Sequence, residues 1–175
     1  MKTKHLLIPL LCTAAALTGS AYASDGTITF TGAINTQTCK ITGGGDVSVQ
    51  LPNMQATALK AAGDTAGDTR FKIAVSGCDT SQQQSVYAAF EPGPNLDPAT
   101  GNLKLQGADA AKNVQIGLKN LDNTPITIGD STTVKAVPLD KNGAATMEYV
   151  ARYVATDAAA AGSASTNVTY SLNYQ

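Results

Sequence analysis

Apolar and polar side chains alternate residue by residue through much of this chain, the period of a β-strand with one buried face. The pattern opens at residues 25–34, DGTITFTGAI. There Ile28, Phe30, Gly32 and Ile34 share one face, and Thr27, Thr29, Thr31 and Ala33 share the other. The same period predicts strands over residues 47–51 (Val47, Val49, Leu51 inward), 71–75 (Phe71, Ile73, Val75) and 86–90 (Val86, Ala88, Phe90). It predicts another over 113–120, with Val114, Ile116 and Leu118 inward and Gln115 and Lys119 outward. The longest regular run, 146–156, puts Met147, Tyr149, Ala151 and Tyr153 on one face and Val150 and Val154 on a second, partly covered one. In the last run, 167–175, Val168, Tyr170, Leu172 and Tyr174 point inward and Thr169, Ser171 and Asn173 outward.

Punctuation between these runs is that of an antiparallel protein. Gly43-Gly44-Gly45 marks a turn, and Pro52 ends the run before it because it lacks a ladder donor. Residues 55–70 are polar, Ala-rich and broken by Gly63 and Gly67, which predicts a loop with one helical turn near 56–61. Gly77 is placed to form a bulge that turns Cys78 toward Cys39. Pro92, Pro94 and Pro98 predict a long irregular connection, and Leu103 and Leu105 a short edge piece. Ile126 and Ile128 follow a Thr-Pro turn, and residues 132–139 read as a weaker strand. Asp140-Lys141-Asn142-Gly143 is a hairpin turn, and residues 158–162 a small-residue loop. No long helical pattern and no solenoid repeat interrupts the series, so the fold expected is an antiparallel β-sandwich. About six core strands follow residue 38, where an immunoglobulin-like sandwich has seven. One strand is therefore expected to be missing at the C-terminal end, with a spare one at the N-terminal end.

The leading residues change what counts as the domain. Lys2 and Lys4, an apolar run over 6–17 and Ala21-Tyr22-Ala23 form a secretory signal, expected to be cleaved after residue 23. The apolar run is too short to span a bilayer as a helix. A lipoprotein signal at Cys12 is disfavoured by Leu11 before it. Cleavage leaves 152 of the 175 residues, enough for one domain, with 10 basic against 13 acidic side chains and no basic cluster. Nucleic acid is thus an unexpected partner, and the mature chain has no run that would insert in a membrane. In an oxidising compartment the two remaining cysteines, Cys39 and Cys78, read as a disulfide, with a free thiol as the competing reading.

Candidate chemistry is sparse. His5, the only histidine, leaves with the signal, so Ser-His-Asp and Cys-His catalysis lack a base and zinc lacks ligands. Asp64 with Asp68, and Asp140 in DKNG, are too thinly set for a calcium loop. Glu91 and Glu148 are the only glutamates, and with no tryptophan to stack a sugar a glycosidase is disfavoured. Gly43-Gly44-Gly45 lacks the Lys-Ser/Thr of a phosphate loop, and Asn167-Val168-Thr169 lies within a strand. Tyr149, Tyr153, Tyr170 and Tyr174 read as half-buried core tyrosines, with a carbohydrate platform as the sharper alternative. No cofactor and no catalytic or metal residues are expected.

The segments DGTITFTGAI before a first cysteine, FKIAVSGC carrying the second, NVQIGLKN, YVARYVAT and the closing TNVTYSLNYQ together resemble the pilins of chaperone–usher, type-1-like fimbriae, in particular their major structural subunit. The resemblance implies an all-β, incomplete immunoglobulin-like β-sandwich lacking its last strand. It divides the chain into a signal (1–23), a donor-strand extension (24–37) and the pilin domain (38–175). It implies subunits polymerised head-to-tail by donor-strand exchange in a cell-surface fimbria that supports adhesion, reached through the periplasm. The implied partners are identical subunits, a periplasmic chaperone, an outer-membrane usher and a tip adhesin. Ile28, Phe30 and Ile34 would fill the neighbour's pockets and Gly32 would allow close backbone approach. Val168, Tyr170, Leu172 and Tyr174 would line the acceptor groove and the edge the chaperone meets, and Cys39 with Cys78 would be the family disulfide. A minor or adaptor subunit, or an exported carbohydrate-binding module of the same fold, is the alternative.

Overall fold

Most of the inward faces that the alternation marks are buried, and residues 114–120 are buried on both faces. A computed structural model describes residues 28–32, 39–81 and 83–175. The chain divides into two units, Met1–Asn35 and Thr36–Gln175. Of the first, residues 28–32 are described; they have neither helix nor strand, and all are exposed.

The described residues of the second unit carry ten strands: β1 Lys40–Ile41, β2 Thr65–Ser76, β3 Ser85–Phe90, β4 Leu96–Asp97, β5 Asn102–Lys104, β6 Lys112–Asn120, β7 Pro125–Ile126, β8 Val137–Pro138, β9 Ala145–Ala160 and β10 Tyr170–Tyr174. They form two antiparallel sheets of an immunoglobulin-like sandwich. One has the order β1-β2-β9-β6-β5-β4, with β7 also paired to β6, and the other the order β10-β3-β8. The core between them is built from the inward faces the alternation marks: Ile73 and Val75, Val86, Ala88 and Phe90, Val114, Ile116 and Leu118, Met147, Tyr149, Ala151 and Tyr153. Tyr149 stacks edge-on against Phe90, ring centroids 5.2 Å apart, and lies 5.7 Å from Phe71.

Several elements depart from the sequence reading. Residues 65–70, expected as loop, are the first half of β2, paired with β9 from Thr65↔Val154 onward. A register shift between Ala66 and Thr69 hides the alternation. Gly67 sits in that shift at φ +74°, and a Cβ there would meet the Tyr153 ring at 2.9 Å. The predicted helical turn shrinks to a 3₁₀ turn, Ala56–Ala58. The proline-rich connection holds the short strand β4. Residues 132–139 are mostly a 3₁₀ turn and a connection, leaving only the two residues of β8. β9 runs on through 158–160, expected as loop, because Lys112 of β6 pairs with Ala160. The last strand is shorter than predicted, Tyr170–Tyr174.

Gln115 and Lys119, expected to point outward, are 6% and 5% exposed. Their face of the sheet is roofed by polar side chains. Gln115 Nε2 donates to Asp97 (2.6 Å) and its Oε1 accepts from Thr100 Oγ1 (2.8 Å). Lys119 pairs with Asp68 and donates to Asn123 Oδ1 at 3.0 Å. A polar residue on a strand is thus buried with its hydrogen-bonding capacity filled, which sequence period alone does not distinguish from exposure. Cys39 and Cys78 are joined as a disulfide, Cα atoms 4.2 Å apart, next to Gly77 at φ +67°.

Candidate functional site: an open strand edge

β10 is an edge strand. On one side it is fully laddered to β3, from Tyr170↔Phe90 to Tyr174↔Val86. Gln175 and Ser85 exchange both backbone hydrogen bonds, each 3.0 Å, and this sets the phase of the ladder. In an antiparallel pair alternate residues bond to the partner. Ser171 and Asn173 therefore face β3, while the N–H and C=O groups of Tyr170 and Leu172 face the opposite edge. There they meet no strand among the described residues.

The same residues carry the apolar side chains. Val168, Tyr170, Leu172 and Tyr174 are all half-buried and pack on the core, between exposed Thr169 and Ser171, with Asn173 half-buried as well. The start of the strand is pinned from outside. Buried Asn95 donates through Nδ2 to Asn167 O (3.0 Å) and Oδ1 (3.1 Å), and accepts from Gln106 Nε2 at 2.7 Å. The open edge is thus held in place by groups that do not cover it.

Residues 46–54 are the second component. The alternation of Val47, Val49 and Leu51 predicts a strand there; the structure has none. The alternation survives in burial: Val49 and Leu51 are half-buried against the core, while Ser48 and Gln50 are exposed and Val47 is 41% exposed. What is absent is a ladder, since no backbone hydrogen bond involves residues 46–54 among the described residues. A strand is a paired object, and the side-chain pattern cannot report whether a partner is present.

One polar contact crosses between the two segments. The Tyr170 hydroxyl donates to Gly45 O at 2.6 Å. Burial, and then the nearby Asp46 carboxylate, push the ionisation of that hydroxyl above the ordinary tyrosine value, so it stays a donor at neutral pH. Gly45 was legible only as part of a turn. A bond to a side chain 125 positions away leaves no trace in local periodicity.

Of the arm residues, Ile28 is 81% and Phe30 88% exposed, and Gly32 has open space where a Cβ would stand. Ile34 lies outside the described residues. Tyr149 and Tyr153 are buried more deeply than expected, at 2% and 9% exposure. Among the described residues no group of three or more His, Cys, Asp or Glu side chains could hold a metal, and no helix is long and apolar enough to cross a membrane.

Known proteins resemble this chain. The family described as Fimbrial protein matches residues 28–175. The F17 fimbrial protein of Escherichia coli is 38% identical over 171 residues, covering 93% of this chain and 94% of that one. The type-1 fimbrial protein A chain of Escherichia coli strain K12 is 31% identical over 183 residues, covering both chains in full. Among solved structures, the P pilus rod subunit PapA shares the fold, with a TM-score of 0.62 at 20% identity over 79% of this chain and 99% of that one.

Proposed function

Because the chain belongs to the fimbrial protein family, a family of structural subunits rather than enzymes, we propose that it is the repeated shaft subunit of a chaperone–usher pilus, polymerised by donor-strand exchange. The observation that carries this reading is the open edge of β10. Its half-buried apolar side chains pack against the core while the main-chain groups of Tyr170 and Leu172 face outward. An added strand would gain main-chain hydrogen bonds along that edge and bury alternate side chains, and the backbone of residues 46–54 offers unladdered groups nearby.

The strand to be added is the arm, residues 24–37, of the next subunit. Ile28, Phe30 and Ile34 are its apolar face, and each contributes roughly 1.5–3 kcal/mol on burial before ordering costs. Gly32 lets the two backbones approach closely. The 81% and 88% exposure of Ile28 and Phe30 is what a segment meant for another molecule requires. Donor and acceptor are different surfaces, so the contact is head-to-tail and propagates into a filament.

Before assembly, a periplasmic chaperone supplies the strand and an outer-membrane usher exchanges it for the arm. The pathway begins with removal of residues 1–23 and ends at the cell surface, where a tip adhesin completes a fibre that supports adhesion. Domain 38–175 is the unit added at each step. Deletion of residues 24–34, with the signal kept, tests the reading by electron microscopy of cells expressing the chain with its assembly partners. The expected result is a soluble, chaperone-bound subunit and no fibres. Normal fibres from the deleted chain would overturn it.

A further inference from the structure

Residues 46–54 form a strap with unusual attachments. Entering the strap, Gly43, Gly44 and Gly45 adopt φ of +87°, +86° and +92° in succession. A run of left-handed residues is accessible at little cost only to glycine, and it makes a natural hinge. Leaving it, Pro52 follows Leu51 and donates no hydrogen bond. Between these points there is no ladder. Among the described residues, the bond from Tyr170 to Gly45 O is the single hydrogen bond joining residues 43–54 to the rest of the domain. The remaining attachment is apolar, through Val49 and Leu51.

We infer that the Tyr170–Gly45 hydrogen bond is a latch that holds the glycine-hinged strap against the open edge of β10, and that an incoming strand must release it before lying between them. The inference rests on the reading of β10 as a strand acceptor. A strand inserted beside β10 needs about 4.7–4.9 Å on each side. The Tyr170 side chain, bonded to Gly45 O at the hinge of the strap, crosses the space that such a strand would enter. Tyr170 is then a positioning residue that sets the rate of admission.

The test uses the full chain and its Tyr170→Phe variant, which keeps the ring and removes only the donor. Release of the strap is read as thermolysin cleavage within residues 46–54, and uptake of a fluorescent peptide of residues 24–37 is followed by anisotropy. Loss of one such bond is expected to speed both strap cleavage and peptide uptake by about three- to tenfold. Tyr149→Phe, which loses a hydroxyl bond in the core, serves as the control and leaves strap cleavage at the wild-type rate. Peptide uptake by wild type, with uptake rate and strap cleavage both unchanged in Tyr170→Phe, overturns the latch and leaves the acceptor reading intact. Failure of both proteins to take up the peptide overturns the acceptor reading, and the role of the latch in admission falls with it.

Discussion

The hydroxyl of Tyr149 accepts a hydrogen bond from the backbone N–H of Ala88 at 3.1 Å, joining the two sheets through the middle of the core. β8 is too short to cover this part of β3, pairing only with Ser85 and Val86. A side chain from the other sheet does what a ladder would have done. A buried donor left without a partner costs about 1–3 kcal/mol, more than the net worth of the bond. Tyr149→Phe is therefore expected to lower unfolding free energy by about that amount, measured by urea denaturation. A change below roughly 0.5 kcal/mol would show that the Ala88 N–H finds another partner.

Alkaline pH should reveal the same tyrosines. Burial raises the ionisation of Tyr149 and Tyr153, and burial followed by the Asp46 charge raises that of Tyr170. In the unfolded chain tyrosine ionises near pH 10. Below that value both states keep the proton and stability is unaffected. As pH rises past it the unfolded state ionises first, and stability falls until the folded-state values are passed. Thermal unfolding between about pH 9 and 11 should show this decline, and Tyr149→Phe should make it shallower. Equal slopes in variant and wild type would exclude Tyr149 as a source.

Gly143 closes the turn into β9 at φ +68°, and its carbonyl accepts from Cys78 N–H at 2.9 Å. A Cβ at Gly143 would collide with the backbone of Cys78, including its carbonyl oxygen. Gly44 has a similar φ, +86°, but open space around it. Left-handed strain alone costs about 1–2 kcal/mol. Gly44→Ala should cost that much and Gly143→Ala distinctly more, because the disulfide-bonded segment must move. Thermal melts of the two variants separate backbone strain from collision, and equal losses would rule out the collision.

The pair between Lys119 and Asp68 is lopsided: the lysine side chain is 6% exposed and the aspartate 49%. Removing the aspartate leaves a buried ammonium with Asn123 as its remaining partner. Asp68→Ala should cost on the order of 2 kcal/mol, short of the cost for a fully buried pair because Asp68 is half in water. The double variant Asp68→Ala/Lys119→Met should regain part of that loss. A double variant no more stable than Asp68→Ala would show that the stranded charge is not the source of the cost.

Long strands were legible where one face meets the core without interruption, as in β3 and β9 around Tyr149. Where β2 carries its register shift at Gly67, the alternation breaks and residues 65–70 read as loop. Ala158–Ala160 have little intrinsic strand preference and join β9 through pairing with β6. Residues 46–54 erred the other way, since their side chains mark a strand while their backbone has no neighbour. The site was legible in its apolar residues, Val168, Tyr170, Leu172 and Tyr174, because period two reports faces. The bond from Tyr170 to Gly45 was not, because nothing local encodes it.

The disulfide has a mechanical consequence. Cys39 stands at the entry to the domain and Cys78 just past the end of β2, a strand laddered to β9. Tension arriving along the chain before Cys39 crosses the sulfurs directly into the end of that central strand. It never travels through β1, the glycine hinge or the strap. The 39-position separation would otherwise pay out roughly 130 Å of chain when stretched. A pull on the arm can thus reach the end of β2 without unravelling the loosely held residues between the two cysteines.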